Sequence, residues 1–128
     1  MIVYAGNVSY CLDFSVVLCT AKRNINHCAT DPKYAIRTRE REKKIKHGSA
    51  ALELHHVFVP MVWDAFGRAG PGVRFFFDAL SMACAGRELL REQLNSETDA
   101  AIQRGNARII LQASQRVEGC SDRYADWE

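Results

Sequence analysis

An aspartate stands inside an apolar run, Tyr10-Cys11-Leu12-Asp13-Phe14-Ser15-Val16-Val17. A carboxylate there needs a reason, because burying it without a partner is costly. Three reasons would serve: a bound metal ion, a paired cation, or an open sheet face that lets Asp13 meet water. Side chains alternate along a strand, so Ser15 shares the face of Asp13. Metal-dependent nucleases often set an acid and a lysine at this spacing, aiming both at one phosphate. With serine at position 15 that pair is incomplete.

The second feature is a dense run of cations. Lys33, Arg37, Arg39, Arg41, Lys43, Lys44 and Lys46 fall within fifteen residues, with only Glu40 and Glu42 as opposing charges. Such a run can neutralise nucleic-acid phosphates and release their counterions. It can equally be a solvated helix held by Glu40–Lys44 and Glu42–Lys46 pairs one turn apart. The net charge of the chain is only +2, so binding to a polyanion, DNA or RNA, would rest on this local patch.

Other chemistries find little support. His27, His47, His55 and His56 show no strong metal-binding spacing among themselves or with cysteine. Five cysteines, at 11, 19, 28, 84 and 120, include no pair two residues apart. They read as reduced, mostly buried thiols of an intracellular protein. The opening residues do not resemble a secretory leader. No apolar stretch reaches the ~20 residues that span a membrane. There is no phosphate-cradling loop or nucleophile elbow, and Gly67-Arg68-Ala69-Gly70 is too short a signal. Phe75-Phe76-Phe77 lies in an amphipathic helical pattern and reads as core.

The elements that must position Asp13 and the cations follow from periodicity. Ile2 to Ala5 and Val8 to Cys19 read as strands joined by a tight Gly6-Asn7 turn. Tyr10, Leu12, Phe14, Val16 and Leu18 share one face, and Cys11, Asp13, Ser15 and Val17 the other. Thr20 to Pro32 reads as a loop. Lys33 to Leu54 favours helix, with Gly48 a weak point. Val57 to Trp63 reads as a buried strand, although Pro60 argues for an edge or a bulge. Pro71 suits a helix start. That helix carries Val73, Phe76, Phe77, Leu80, Ala83 and Cys84, then Leu89, Leu90 and Leu94 beyond a kink at Gly86, and ends at Asn95-Ser96. A last helix runs from about Glu97 to Val117, with Ile102, Ile109, Ile110 and Ala113 as its apolar members. The expected class is α/β or α+β. One domain covers residues 1–117 and a polar tail covers 118–128.

Four segments in this order resemble the region that follows the reverse transcriptase in non-LTR (LINE-type) retrotransposon polyproteins. They are Leu12-Asp13-Phe14-Ser15-Val16-Val17, the helix end Lys43-Lys44-Ile45-Lys46-His47, Phe58-Val59-Pro60-Met61-Val62-Trp63-Asp64-Ala65-Phe66-Gly67, and Ala101-Ile102-Gln103-Arg104-Gly105-Asn106-Ala107. The corresponding family patterns are Asp-Val-Thr-Val-Val, Lys-x-x-Lys-Tyr, Phe-Val-Pro…Glu-Thr-Phe-Gly and Gln-Arg-Gly-Asn-Ala. Phe58, Pro60, Asp64, Gly67, Gln103, Arg104, Gly105 and Asn106 carry the last two.

The resemblance implies a restriction-like endonuclease core of the PD-(D/E)xK type, strand-strand-helix-strand followed by two helices. Such a domain nicks target DNA, and would act in the nucleus. Asp13 matches the acid that holds Mg²⁺, and Lys43 or Lys46 the cation supplied from the helix. Arg37, Arg39, Arg41 and Lys44 would join Lys43 and Lys46 on nucleic acid. The family's earlier acid precedes a run like Ile2-Val3-Tyr4, and here would fall before Met1. Its Tyr after the helix lysine is His47, and its Glu in the third segment is Asp64. The zinc knuckle and polymerase have no counterpart in this sequence. The expectation is therefore a truncated, catalytically inactive remnant, with Mg²⁺ relevant only to a complete site; the alternatives are a non-enzymatic nucleic-acid-binding module that uses the basic helix 33–47, or a structural or interaction domain. The strand edge at Ile2 to Ala5 is expected to favour self-association.

Overall fold

Gly6 takes a φ of +61°, the left-handed region that a side chain disfavours, and the chain reverses there. Around it β1 (Ile2–Ala5) and β2 (Val8–Val17) pair antiparallel, from Ile2 opposite Cys11 to Ala5 opposite Val8. The computed structural model describes residues 1–83 and 87–121. After β2 come α1 (Ile25–Thr30), α2 (Tyr34–Glu53) and β3 (Val57–Asp64). β3 runs parallel to β2, from Tyr10 opposite Val57 to Val17 opposite Asp64. A parallel pair needs a long crossover, and α2 supplies it. The sheet order is β1-β2-β3. α3 (Pro71–Ala83) and α4 (Arg87–Ser121) complete a mixed α/β fold of three strands and four helices among the described residues.

Each face of the sheet has its own core. On one, Tyr10, Leu12, Val59, Met61 and Trp63 pack on Val73, Phe76 and Phe77 of α3, with Leu94 and Ile102 of α4 alongside. On the other, Val17 and Val62 pack on Ala35 and Ile36 of α2, with Cys19 and Cys28 at the margin. β3 is thus covered on both faces, which explains its continuous apolar run. Among the described residues no helix is long and apolar enough to cross a membrane.

Several expectations are corrected. Residues 20–32 contain α1, a single short helix with no side-chain cap. Leu18 lies beyond β2, and Phe14 and Val16 are exposed, lining an apolar cavity between their face of the sheet and α4. Asn95-Ser96 does not end a helix: α4 runs through it and on to Ser121, past the expected end at Val117. Packing of Leu94 and Ile102 overrides the weak propensity of Asn and Ser. Ile109 is exposed; the side chains of Leu89, Ile110, Ala113 and Cys120, the expected kink at Gly86, Cys84 and residues 122–128 lie outside the described part. Phe75 is exposed while Phe76 and Phe77 are core. Cys11, Cys19 and Cys28 are free thiols, half-buried instead of buried.

Candidate nucleic-acid interface

Asp13 sits in the middle of β2, opposite Pro60 of β3, on the sheet face that α2 covers. Lys43 of α2 reaches down to it, and its Nζ lies 2.6 Å from Asp13 Oδ2. Lys43 is only 8% exposed. A charged side chain so covered is rarely found without a partner, and Asp13 is that partner. Of the three reasons for an acid at position 13, the structure shows the paired cation. One turn further along α2, His47 Nε2 stands 3.9 Å from the same oxygen, and its ring faces Phe58 with centroids 6.0 Å apart.

Asp13, Lys43 and His47 form the wall of a cavity of about 250 Å³ with Arg39, Glu42 and Lys46. Lys43 and Lys46, three residues apart on α2, both line it. Arg39 donates to Glu42 at 3.0 Å. Asp13–Lys43 and Arg39–Glu42 cancel in charge, which leaves Lys46, exposed and with no ion pair among the described residues. The cavity carries a net positive charge that is open to solvent. Arg37 is engaged by Asp31, and Arg41 and Lys44 are exposed; none of the three lines this cavity.

The acids on α2 are not arranged as the sequence suggests. Neither the Glu40–Lys44 nor the Glu42–Lys46 pair is found among the described residues; Glu42 turns back to Arg39. Glu40 turns inward, is 5% exposed, and accepts a 2.9 Å bond from the N–H of Gly72 in the first turn of α3. A carboxylate there meets the positive end of the helix dipole. The sequence gives no signal for Glu40, because α2 has no apolar stripe to show which side faces the sheet.

A divalent metal at Asp13 does not fit these donors. One carboxylate oxygen is already against an ammonium group, and the neighbouring carboxylate of Glu42 is held by Arg39. Among the described residues no group of three His, Cys, Asp or Glu side chains could hold a metal. Mg²⁺ requires several oxygen ligands in strict geometry, and the two carboxylates of this cavity, Asp13 and Glu42, are both already committed to cations. Ser15, on the same strand face, has a buried hydroxyl without a hydrogen-bond partner.

The remaining motif residues build the loop after β3. Asp64 is 1% exposed, and its Oδ1 accepts from the N–H groups of Phe66 and Arg68, both at 2.9 Å. Gly67 takes a φ of +93° in this turn. From α4, Gln103 donates to the carbonyl of Phe66 at 3.1 Å and Asn106 donates to that of Ala65. Pro60 is fully buried and Phe58 half-buried, whereas Arg104 and Gly105 are exposed. Asp64, Gln103 and Asn106 thus hold the chain in place; they do not join Asp13. No known protein family, curated protein or solved structure matches this chain.

Proposed function

We propose that this chain is a nuclease-like domain, derived from a non-LTR retrotransposon polyprotein, that grips the backbone of DNA without cutting it. The observation that supports this reading is the 2.6 Å Asp13–Lys43 contact, in a cavity whose uncompensated charge is Lys46. It joins the strand acid to one of the two helix lysines that the resemblance offers as its partner. In this reading Asp13 is an anchor: it holds Lys43 in place, while Lys46 meets a phosphate oxygen at the surface. The bonds from Gln103 and Asn106 to the loop after β3 add support, because two segments that the resemblance orders in sequence also meet in space.

Affinity for a short DNA duplex, followed by fluorescence anisotropy over a series of salt concentrations, tests the reading. Affinity should fall linearly with salt on logarithmic axes, and Lys46→Ala should reduce the slope by about 1. Asp13→Asn frees Lys43 from its carboxylate and should tighten binding. Supercoiled plasmid with Mg²⁺ or Mn²⁺ should stay intact with both proteins. Nicking that Asp13→Asn abolishes would make this an active endonuclease. No binding even at low salt would remove the nucleic-acid reading. The retrotransposon origin predicts reverse-transcriptase coding sequence upstream in the genome, and unrelated sequence there would count against it.

A further inference from the structure

The sheet has two edges, and among the described residues only one is guarded. Along the outer edge of β3, Pro60 has no N–H to offer. Gly70 donates to the carbonyl of Val62 at 2.8 Å, and Trp63 is bridged to Ala69. Gly72 approaches so closely that a Cβ there would lie 2.2 Å from the Pro60 carbonyl oxygen. The outer edge of β1 has no such cover among the described residues. Its sequence, Ile2-Val3-Tyr4-Ala5, contains neither charge nor proline, the usual devices that keep edges apart. Ile2 is 49% and Tyr4 75% exposed.

The ladder phase tells which backbone groups this edge presents. Leu12 N–H donates to the Met1 carbonyl at 2.7 Å, and the Met1 amino group donates to the Leu12 carbonyl at 2.9 Å. Hydrogen-bonded and non-hydrogen-bonded positions alternate along an antiparallel pair. Met1, Val3 and Ala5 therefore turn their N–H and C=O groups toward β2, and Ile2 and Tyr4 turn theirs outward.

We propose that β1 pairs antiparallel with β1 of a second copy of this chain, about a two-fold axis between the two Val3 residues. In that register Ile2 of each copy faces Tyr4 of the other. Each facing pair exchanges two hydrogen bonds, and every outward group of both strands is used. A register that sets Ile2 against Ile2, or Tyr4 against Tyr4, leaves half of them unpaired. The result is a continuous sheet of two three-stranded halves, with isologous symmetry. Val3 also lines the apolar cavity of about 790 Å³ between the sheet and α4, so the pairing extends an apolar surface. Two four-residue strands bury less than the ~1,200 Å² of a stable interface. The dimer is accordingly a reversible, concentration-dependent one. It does not depend on the nucleic-acid reading.

Sedimentation velocity and cross-linking test the proposal. Wild-type protein should sediment faster as its concentration rises. The double variant Ile2→Lys/Tyr4→Lys, which sets like charges across the pairing, should stay monomeric with its thermal melt preserved. At the two-fold axis the Val3 residues form a non-hydrogen-bonded pair with Cα atoms ~4.5 Å apart, within disulfide reach. Val3→Cys should therefore give a covalent dimer under mild oxidation, above the background of the five native cysteines. Tyr4→Cys, two positions out of register with its own copy, should stay at that background. Concentration-independent sedimentation, a dimer indifferent to the lysines, or equal cross-linking of the two cysteine variants would each overturn it.

Discussion

His55 closes α2 in a conformation that costs a side chain free energy. Its φ is +58°. Its N–H donates to the carbonyl of Leu52 at 3.0 Å, and His56 N–H donates to that of Ala51 at 2.9 Å. This is the pattern that glycine usually occupies after a helix. His55→Gly should stabilise the fold by about 0.5–1 kcal/mol, read as a higher denaturation midpoint; a lower midpoint would mean the imidazole makes contacts that outweigh the strain. Cys19 offers a pH-dependent counterpart. Burial above all pushes its thiol from 9.0 up to about 11, aided by hydrogen bonding and repulsion from the Cys28 thiol and by repulsion from Asp64, with Arg68 opposing. The unfolded chain ionises this thiol first, so between pH 9 and 11 it binds fewer protons than the folded chain, and stability falls. The stability of wild type relative to Cys19→Ala should decline across that window, as measured by urea titration. A constant difference would show that burial does not hold the proton there.

At the scale of elements, the tightest junction is where α2, β3 and the start of α3 meet. Glu40 bonds to the Gly72 N–H, and Gly72 lies against the Pro60 carbonyl. That carbonyl belongs to a strand and cannot swing away as a side chain would. Gly72→Ala should cost about 3 kcal/mol or more. Gly48→Ala, in the interior of α2 with open space around it, should instead gain about 0.5–1 kcal/mol. Urea denaturation of both variants checks the pair; the same sign for both would contradict the packing at Gly72. Legibility in the sequence follows the same logic. The β1–β2 hairpin, α2, β3 and the start of α3 announce themselves through alternation, a turn dipeptide, a charged run and Pro71. The short helix α1 has no periodic apolar residues and no cap, and so looks like loop. Asn95-Ser96 reads as a stop, yet α4 passes through it because Leu94 and Ile102 have a surface to pack on. At the site, Asp13 is conspicuous as an acid among apolar residues, and the resemblance points to Lys43 or Lys46 without choosing between them. That Glu40 faces inward and Glu42 outward is invisible, since a helix with so few apolar residues does not declare its buried side.

In the whole molecule, β2 and β3 are the strands that both cores share. Val59, Met61 and Trp63 serve the core with α3, while Val62 serves the core with α2. Neither core can be lost while β3 keeps its place, because its two faces are successive residues of one strand. The described fold should therefore melt as a unit, even though its helices lie in separate layers. Phe76→Ala empties one core and Ile36→Ala the other, with expected losses of about 3–5 and 2–5 kcal/mol. Both should shift a single transition. Trp63 reports from within a shared strand, and Trp127→Phe would leave it as the only indole, the chain having two tryptophans. Trp63 fluorescence and far-ultraviolet circular dichroism should then give the same midpoint in each variant. If Ile36→Ala separated the two curves, the α2 side would be a subdomain able to open alone. The Asp13–Lys43 pair, which spans β2 and α2, would then be broken in the partly open state, and with it the cavity on which the DNA-binding reading rests.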